Sequence, residues 1–316
     1  MTWFFLSIIA LVCWSGSDLF SKIGSKPDDK YSHWKMVIAV GLIMGLHAAY
    51  EIFIGGVQIT FGDILTYMPA SAMYILSMVF GYVGLRYIEL SVSSPICNSS
   101  GALAAILCFV FLQEMPSPLQ WVAVVLVMLG VVGLGFAEMT ENDEIKMMRQ
   151  EKANVKYTKS WLALLLPILY CVIDALGTFI DSVILREEDT GTFLDNVFPT
   201  VLDESVANVA YELTFLAMGI VAAIYVFAIR REKIAPRREG PKLIGGVCET
   251  AGQFAYIFAL SDTAHVGFSA AIISAYCALS VVWSRIFLKE KLSWKHYLAI
   301  GVAFVGIVML GVLDEL

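Results

Sequence analysis

Residues 111–135 read FLQEMPSPLQWVAVVLVMLGVVGLG, residues 287–311 read FLKEKLSWKHYLAIGVAFVGIVMLG, and the two stretches align without a gap. Phe, Leu, Glu, Ser, Ala, Gly, Val, Leu and the final Gly recur at the same offset. Each stretch joins a short Leu-x-Glu turn to an apolar run of about 20 residues. That is the length an α-helix needs to cross ~30 Å of hydrocarbon at ~1.5 Å per residue. Upstream, Ser93–Ala105 lies over Ser269–Val281 in the same register, more weakly. The chain has used one membrane-spanning unit twice.

The rest of the sequence agrees. Of 316 residues, 59% are hydrophobic and 16% charged, with a mean hydropathy of +0.76; soluble domains carry about a quarter charged residues. The charges come in bursts between apolar stretches. Ten spans follow, at about 2–21, 34–54, 64–86, 91–112, 119–138, 160–185, 205–229, 242–261, 264–288 and 293–313. Pro27, Pro116, Pro118, Pro236 and Pro241 fall between spans, with Gly55 and Gly56. Pro69, Pro95 and Pro167 fall inside, which bilayer helices tolerate when neighbours satisfy the freed carbonyls. The opening run from Thr2 lacks a basic leader region and reads as the first span. The expected fold is an all-α integral membrane protein of ten transmembrane helices in two inverted five-helix repeats. Residues 1–138 form the first repeat, 139–159 a charged linker and 160–316 the second repeat. An odd helix number per copy turns the second upside down, a recurring transporter plan.

Lys and Arg set the orientation. The odd-numbered connections hold Lys22, Lys26, Lys30, Arg86, Lys146, Arg149, Lys152, Lys156, Lys159, Arg230, Arg231, Lys233, Arg237, Arg238, Lys289 and Lys291, and Lys35, Lys242, Arg285 and Lys295 flank the same side. The even connections hold only Arg186, beside Glu187, Glu188 and Asp189. The positive-inside rule makes this a multi-pass cell-membrane protein with odd connections in the cytoplasm and both termini outside. A net charge of -7 provides no basic surface for nucleic acid. The six cysteines lie in apolar stretches without CxxC spacing, and His33, His47, His265 and His296 are scattered, so no metal or cofactor is expected. The expected partners are a small-molecule substrate and the lipid bilayer, with oligomeric state left open.

An ionisable side chain inside hydrocarbon is costly and marks function by default. Asp174, Glu212, Glu249 and His47 lie well inside spans, almost without basic residues at matching depth. In the sixth span Asp174, Gly177, Thr178 and Asp181 share one helical face. In the eighth, Glu249, Gln253 and Tyr256 do the same. The third offers Tyr67, Ser71, Tyr74 and Gly81, the fourth Ser94, Asn98 and Gly101, and the ninth sets Ser274 opposite Asn98. Converging faces would line a cavity, so the substrate-binding set is Asp174, Thr178, Glu249, Gln253, Tyr256, Tyr74, Asn98 and Ser274. Asp174, Glu249 and Glu212 are the proton-coupling candidates, because carboxyl groups withdrawn from water exchange protons nearer neutral pH. Acids with aromatic rings suit a cation through ion pairing and cation–π contact. Against these stand plainer roles. Asp18, Glu51, Asp181 and Glu89 lie near span ends, where water reaches. His47 reads as a satisfied interior residue. Ser and Gly on the fourth and ninth spans serve close packing. Glu114 and Glu290 cap turns.

At the FLQE and FLKE turns the sequence resembles the EamA-type drug/metabolite transporters, whose halves end in Leu-x-Glu followed by a helix with spaced glycines. Here these are Leu112-Gln113-Glu114 with Gly130, Gly133 and Gly135, then Leu288-Lys289-Glu290 with Gly301, Gly306 and Gly311. Trp14, Gly16 and Lys22 are similar to the family's opening. There are departures: Pro95 faces Ala271 instead of a second proline, and the sixth span reads DALGTFID where the family has a Trp-Gly pair. Members keep both termini in the cytoplasm, whereas the charge count puts them outside. The resemblance implies alternating-access transport of a metabolite, an amine, amino acid or drug-like cation being favoured by the acids, and no enzymatic step. The competing reading, a membrane enzyme acting on a lipid or lipid-linked substrate, needs an HExxH, a GxSxG or a tight His-Asp group, and none is present. A sensor or scaffold would bring a soluble domain, for which linkers of about 20 residues are too short.

Overall fold

The computed structural model describes residues 2–25, 29–84, 96–112, 117–139, 161–186, 193–233, 236–262, 264–289 and 292–313. Every regular element among them is helical, as hydrocarbon requires of a chain that must satisfy its own amides. In order these are α1 (Thr2–Gly24), α2 (Ser32–Tyr50), α3 (Phe61–Gly84), α4 (Ser100–Phe111), α5 (Pro118–Met139), α6 (Trp161–Ile184), α7 (Glu204–Ala223), α8 (Pro236–Leu260), α9a (Val266–Ser274), α9b (Tyr276–Trp283) and α10 (Trp294–Leu313). Among the described residues eight helices are long and apolar enough to cross a membrane, counting the two parts of α9 as one; residues 96–111 and 294–310 form two shorter apolar helices. The protein is an all-α, multi-pass integral membrane protein.

Its surface is inverted relative to a soluble protein. Phe53, Leu46, Val110, Phe136 and Phe304 face outward, while Ser7, Ser15, Ser71 and Ser77 are buried. Apolar side chains gain little by leaving lipid, so close backbone approach at small residues holds such helices together. A Cβ on Gly130 would fall 2.5 Å from Ala303 Cβ and 2.8 Å from the Ala299 carbonyl. One on Gly306, which holds Gly130's place in the second copy, would fall 2.7 Å from the Ala123 carbonyl. Thus α5 and α10 grip each other through equivalent positions. The other main pairs are α1 with α8, α3 with α6, α2 with α7, α2 with α8, α3 with α7, and α4 with α9a. Exchanging α1–α5 for α6–α10 leaves this set of pairs unchanged.

Several boundaries differ from the sequence reading. The ninth span breaks at Ala275, which ends α9a and precedes α9b. Helix α8 begins at Pro236, six residues early, because a proline suits the first turn and the following charged residues extend the helix to the interface. Helices α2 and α7 both run on into π-helical turns, Glu51–Gly55 and Ile224–Ile229. The first ends at Gly56, whose φ of 79° only glycine adopts easily. Beyond Met139 the expected linker lies outside the described residues, as do Glu89, Pro95, Glu114 and Glu290. At the starts of α2 and α8, Lys35 stands 3.0 Å from Asp29, and Lys242 stands 2.9 Å from Glu239 and 3.7 Å from Asp29.

Candidate functional site

Helices α1, α3, α4, α6, α7, α8 and α9 surround a cavity of about 90 Å³. This is several times the ~10–15 Å³ that one water needs by the same measure. All eight residues of the expected substrate-binding set line it: Asp174 and Thr178 from α6, Glu249, Gln253 and Tyr256 from α8, Tyr74 from α3, Asn98 ahead of α4, and Ser274 from α9a. The lining also holds a stripe the sequence reading did not assign to the site, Trp14, Ser17, Asp18 and Ser21 of α1. Their i, i+3, i+4, i+7 spacing was the available signal. Asp18 was expected near water at a span end; it lines the cavity instead and accepts from Ser280 Oγ at 3.0 Å, because α1 runs on to Gly24 and turns this face inward.

Three carboxyl groups therefore face one space. Asp174 accepts from Ser100 Oγ at 2.7 Å and from Ser77 Oγ at 3.1 Å. Glu249 accepts from the Ser17 hydroxyl. Among the described residues no Lys or Arg lines the cavity. Aromatic rings supply much of the remaining wall, and glycines of neighbouring helices seat them. A Cβ on Gly252 would lie 2.5 Å from the Trp14 ring, one on Gly177 3.0 Å from Tyr74, and one on Gly81 3.0 Å from Tyr170. Trp14 packs against Tyr256 with ring centroids 4.8 Å apart and against Tyr276 at 5.9 Å. Trp14 Nε1, Gln253 Nε2 and Tyr82 Oη are buried polar atoms without a hydrogen-bond partner among the described residues, on side chains that line the cavity. A buried donor left unpaired costs about 1–3 kcal/mol, which a ligand acceptor would recover.

Two acids sit elsewhere. Asp181, also expected near water, is 0% exposed. Tyr67 donates to its Oδ1 at 2.7 Å and Tyr74 to its Oδ2 at 3.1 Å. Glu212 lies outside the cavity wall, where His47 Nδ1 stands 2.8 Å from its Oε1 and Glu51 completes the group at 3.7 Å from His47 Nε2. His47 is thus the partner of a buried acid. Among the described residues no group of three or more His, Cys, Asp or Glu is placed to hold a metal ion.

A sequence profile of the EamA-like transporter family matches residues 1–136 and 204–312. One solved crystal structure is 12% identical and aligns over 99% of this chain and 97% of its own, with a TM-score of 0.64, a likeness of fold alone. No curated protein matches the sequence.

Proposed function

The chain belongs to the EamA-like transporter family, and from that premise we propose that it carries an amine-bearing metabolite, amino acid or drug-like cation by alternating access through the cavity. The observation that carries this reading is the wall itself: Asp18, Asp174 and Glu249 from three helices, aromatic rings between them, and no cationic side chain among the lining residues. Carboxylates at low dielectric attract a cation strongly, and electron-rich ring faces add about 0.5–2 kcal/mol. The unpartnered donors of Trp14, Gln253 and Tyr82 call for a hydrogen-bond acceptor elsewhere on the same ligand. A phosphorylated substrate finds no cationic partner among the described lining residues.

In this reading α1–α5 and α6–α10 are inverted copies, all ten helices cross the bilayer, residues 1–138 and 160–316 are the two units, and 139–159 is the linker. The exchange symmetry of the helix pairs supports it. Both termini lie outside, as the Lys and Arg bias requires. Asp174 and Glu249 bind the substrate's positive group and exchange it for protons, with Glu212 as a further proton carrier.

Proteoliposomes loaded with unlabelled compound and tested for counterflow of labelled ethanolamine, choline, leucine or glucose 6-phosphate, at two pH values, examine the whole reading. Cations should exchange unchanged, and Asp174→Asn and Glu249→Gln should lose their dependence on a pH gradient. Transport confined to the phosphate compound, or full gradient dependence in both variants, refutes it. A cysteine placed at Asn142 should stay closed to an impermeant maleimide applied to intact cells; labelling from outside reverses the orientation.

A further inference from the structure

We propose that Asp181 is a proton-binding site, separate from the cavity carboxyls, whose proton reverses the polarity of a hydroxyl row ending at the cavity wall. The row is Asp181 Oδ2, Tyr74 Oη, Tyr256 Oη and Thr178 Oγ1, with successive contacts of 3.1, 2.8 and 2.6 Å. Tyr67 holds the other carboxyl oxygen from outside the row. Tyr74, Tyr256 and Thr178 line the cavity, whereas Asp181 is wholly buried behind them.

Each hydroxyl has a single proton to donate, and this fixes the row to two orders. With Asp181 ionised, Tyr74 must donate to it. The contact between the two phenols is then made by the Tyr256 proton, and the bond that Tyr256 donates to Thr178 Oγ1 in this structure must turn round, so that the Thr178 proton makes it. With Asp181 protonated on Oδ2, every bond turns round. Asp181 donates to Tyr74, Tyr74 to Tyr256 and Tyr256 to Thr178, and the Thr178 proton is left to point into the cavity. Each oxygen passes on its own proton as it receives one, so the net change is one proton from cavity water to the carboxylate, with no other bond altered.

The consequence for a ligand is direct. Thr178 presents free lone pairs in the first state and a donor in the second. A substrate bearing N–H donors binds the first and opposes the second, so its binding expels the Asp181 proton. That sign gives exchange of cation against proton.

The groups facing Asp181 are few. Helix α3 presents Tyr67 and Tyr74, α8 presents Tyr256, and α7 contributes Tyr211, edge-on to Tyr74 at 5.8 Å. Helix α4 contributes Cys108, which meets Ser182. On α6 itself Asp174 lies two turns away, and just beyond its end Arg186 is turned to the Phe198 carbonyl and Asp195. Among the described residues no cation pairs with Asp181. The link to transport rests on the cationic-substrate reading; the proton site does not.

The test uses the purified full chain in weakly buffered detergent solution with a pH-indicator dye. After an acid jump, Asp181→Asn should take up one proton fewer per chain than the wild type. Asn is nearly isosteric and imitates the protonated state, and an unchanged melting temperature shows that it is folded. Equal uptake by folded Asp181→Asn overturns the site. Tyr74→Phe should slow the uptake and Tyr67→Phe should not; equal rates in the two variants overturn the row. Labelled ethanolamine counterflow in proteoliposomes separates the two readings. Without wild-type counterflow the cationic reading fails, while the uptake difference still stands or falls by itself. With counterflow, Asp181→Asn should exchange ethanolamine but lose accumulation driven by a pH gradient, and retained accumulation refutes the coupling.

Discussion

The same chemical change, glycine to alanine, should act in opposite directions at Gly101 and Gly301. Both lie inside helices, so both gain about 1 kcal/mol of helix propensity from a methyl group. At Gly301 nothing lies within 4 Å of the added Cβ, and the gain stands alone. At Gly101 the Cβ would fall 2.3 Å from Ser274 Cβ and 2.7 Å from the Ala270 carbonyl oxygen. Carbon atoms pack at about 3.5–4.0 Å, so α4 must retreat from α9a by more than 1 Å. Neither obstacle is the end of a flexible chain. Overpacking costs about 1–3 kcal/mol, and with two rigid obstacles this close the upper part of that range applies, about 2–3 kcal/mol, leaving a net loss of about 1–2 kcal/mol after the propensity gain. At about 2–4 °C per kcal/mol, Gly101→Ala should melt roughly 2–8 °C below the wild type and Gly301→Ala a few degrees above it. Near-ultraviolet circular dichroism of the full chain in detergent measures both. Because Gly101 and Ser274 line the cavity, Gly101→Ala should also weaken ethanolamine binding about tenfold, the factor that follows from 1.4 kcal/mol. A melting temperature at or above the wild type for Gly101→Ala would refute the packing argument.

Three further outcomes follow from the geometry. His47→Ala leaves Glu212, which is 0% exposed, without its closest partner; it should cost about 3 kcal/mol, with Glu212→Gln recovering part of the loss in a double-mutant cycle. Additive losses would mean that the pair is not coupled. Lys242 is 1% exposed and holds both Glu239 and Asp29, so Lys242→Met should destabilise by about 3 kcal/mol, and Lys242→Met with Glu239→Gln by less; equal melting of wild type and single variant contradicts this. Cys97 lines the cavity whereas Cys108 and Cys277 do not. In variants retaining one cysteine each, a cationic methanethiosulfonate should modify Cys97 alone, more slowly with ethanolamine present. Reaction at all three, or no protection, would place the accessible space elsewhere.

The eight expected cavity residues were legible because a polar side chain in a hydrocarbon-length helix has few reasons to be there, and helical spacing tells which of them share a face. Depth was harder to read. Asp18 and Asp181 were assigned to water from their distance to a span end, but that distance locates a Cα along the axis and says nothing of which way the carboxyl turns. Both α1 and α6 present these carboxyls to neighbouring helices. The His47–Glu212 pair was beyond reach for another reason. Its members are 165 residues apart on helices of different halves, and no local pattern links them. The break at Ala275 also left no local mark, since the run from Val266 to Trp283 contains neither Pro nor a second Gly near the break.

The repeat and the cavity bear on each other through which helices do what. The lining comes chiefly from α1 and α6, α3 and α8, and α4 and α9, while α5 and α10 stand apart and grip each other at Gly130 and Gly306. In the alternating-access reading proposed above, a cavity walled by exchange-related helices would let one half rock against the other. The chemistry does not share that symmetry. Asn98 stands opposite Ser274 in the repeat register, and α6 lines the cavity with Asp174 and Thr178 whereas α1 lines it with Trp14, Ser17, Asp18 and Ser21. An asymmetric ligand therefore has one preferred orientation in a nearly symmetric frame. The hydroxyl row joins α3, α6 and α8 but has no counterpart hydroxyls on α1 bonded in the same way among the described residues. In that reading a proton bound at Asp181 acts through α3, α6 and α8 alone, an asymmetry able to bias the rocking in one direction.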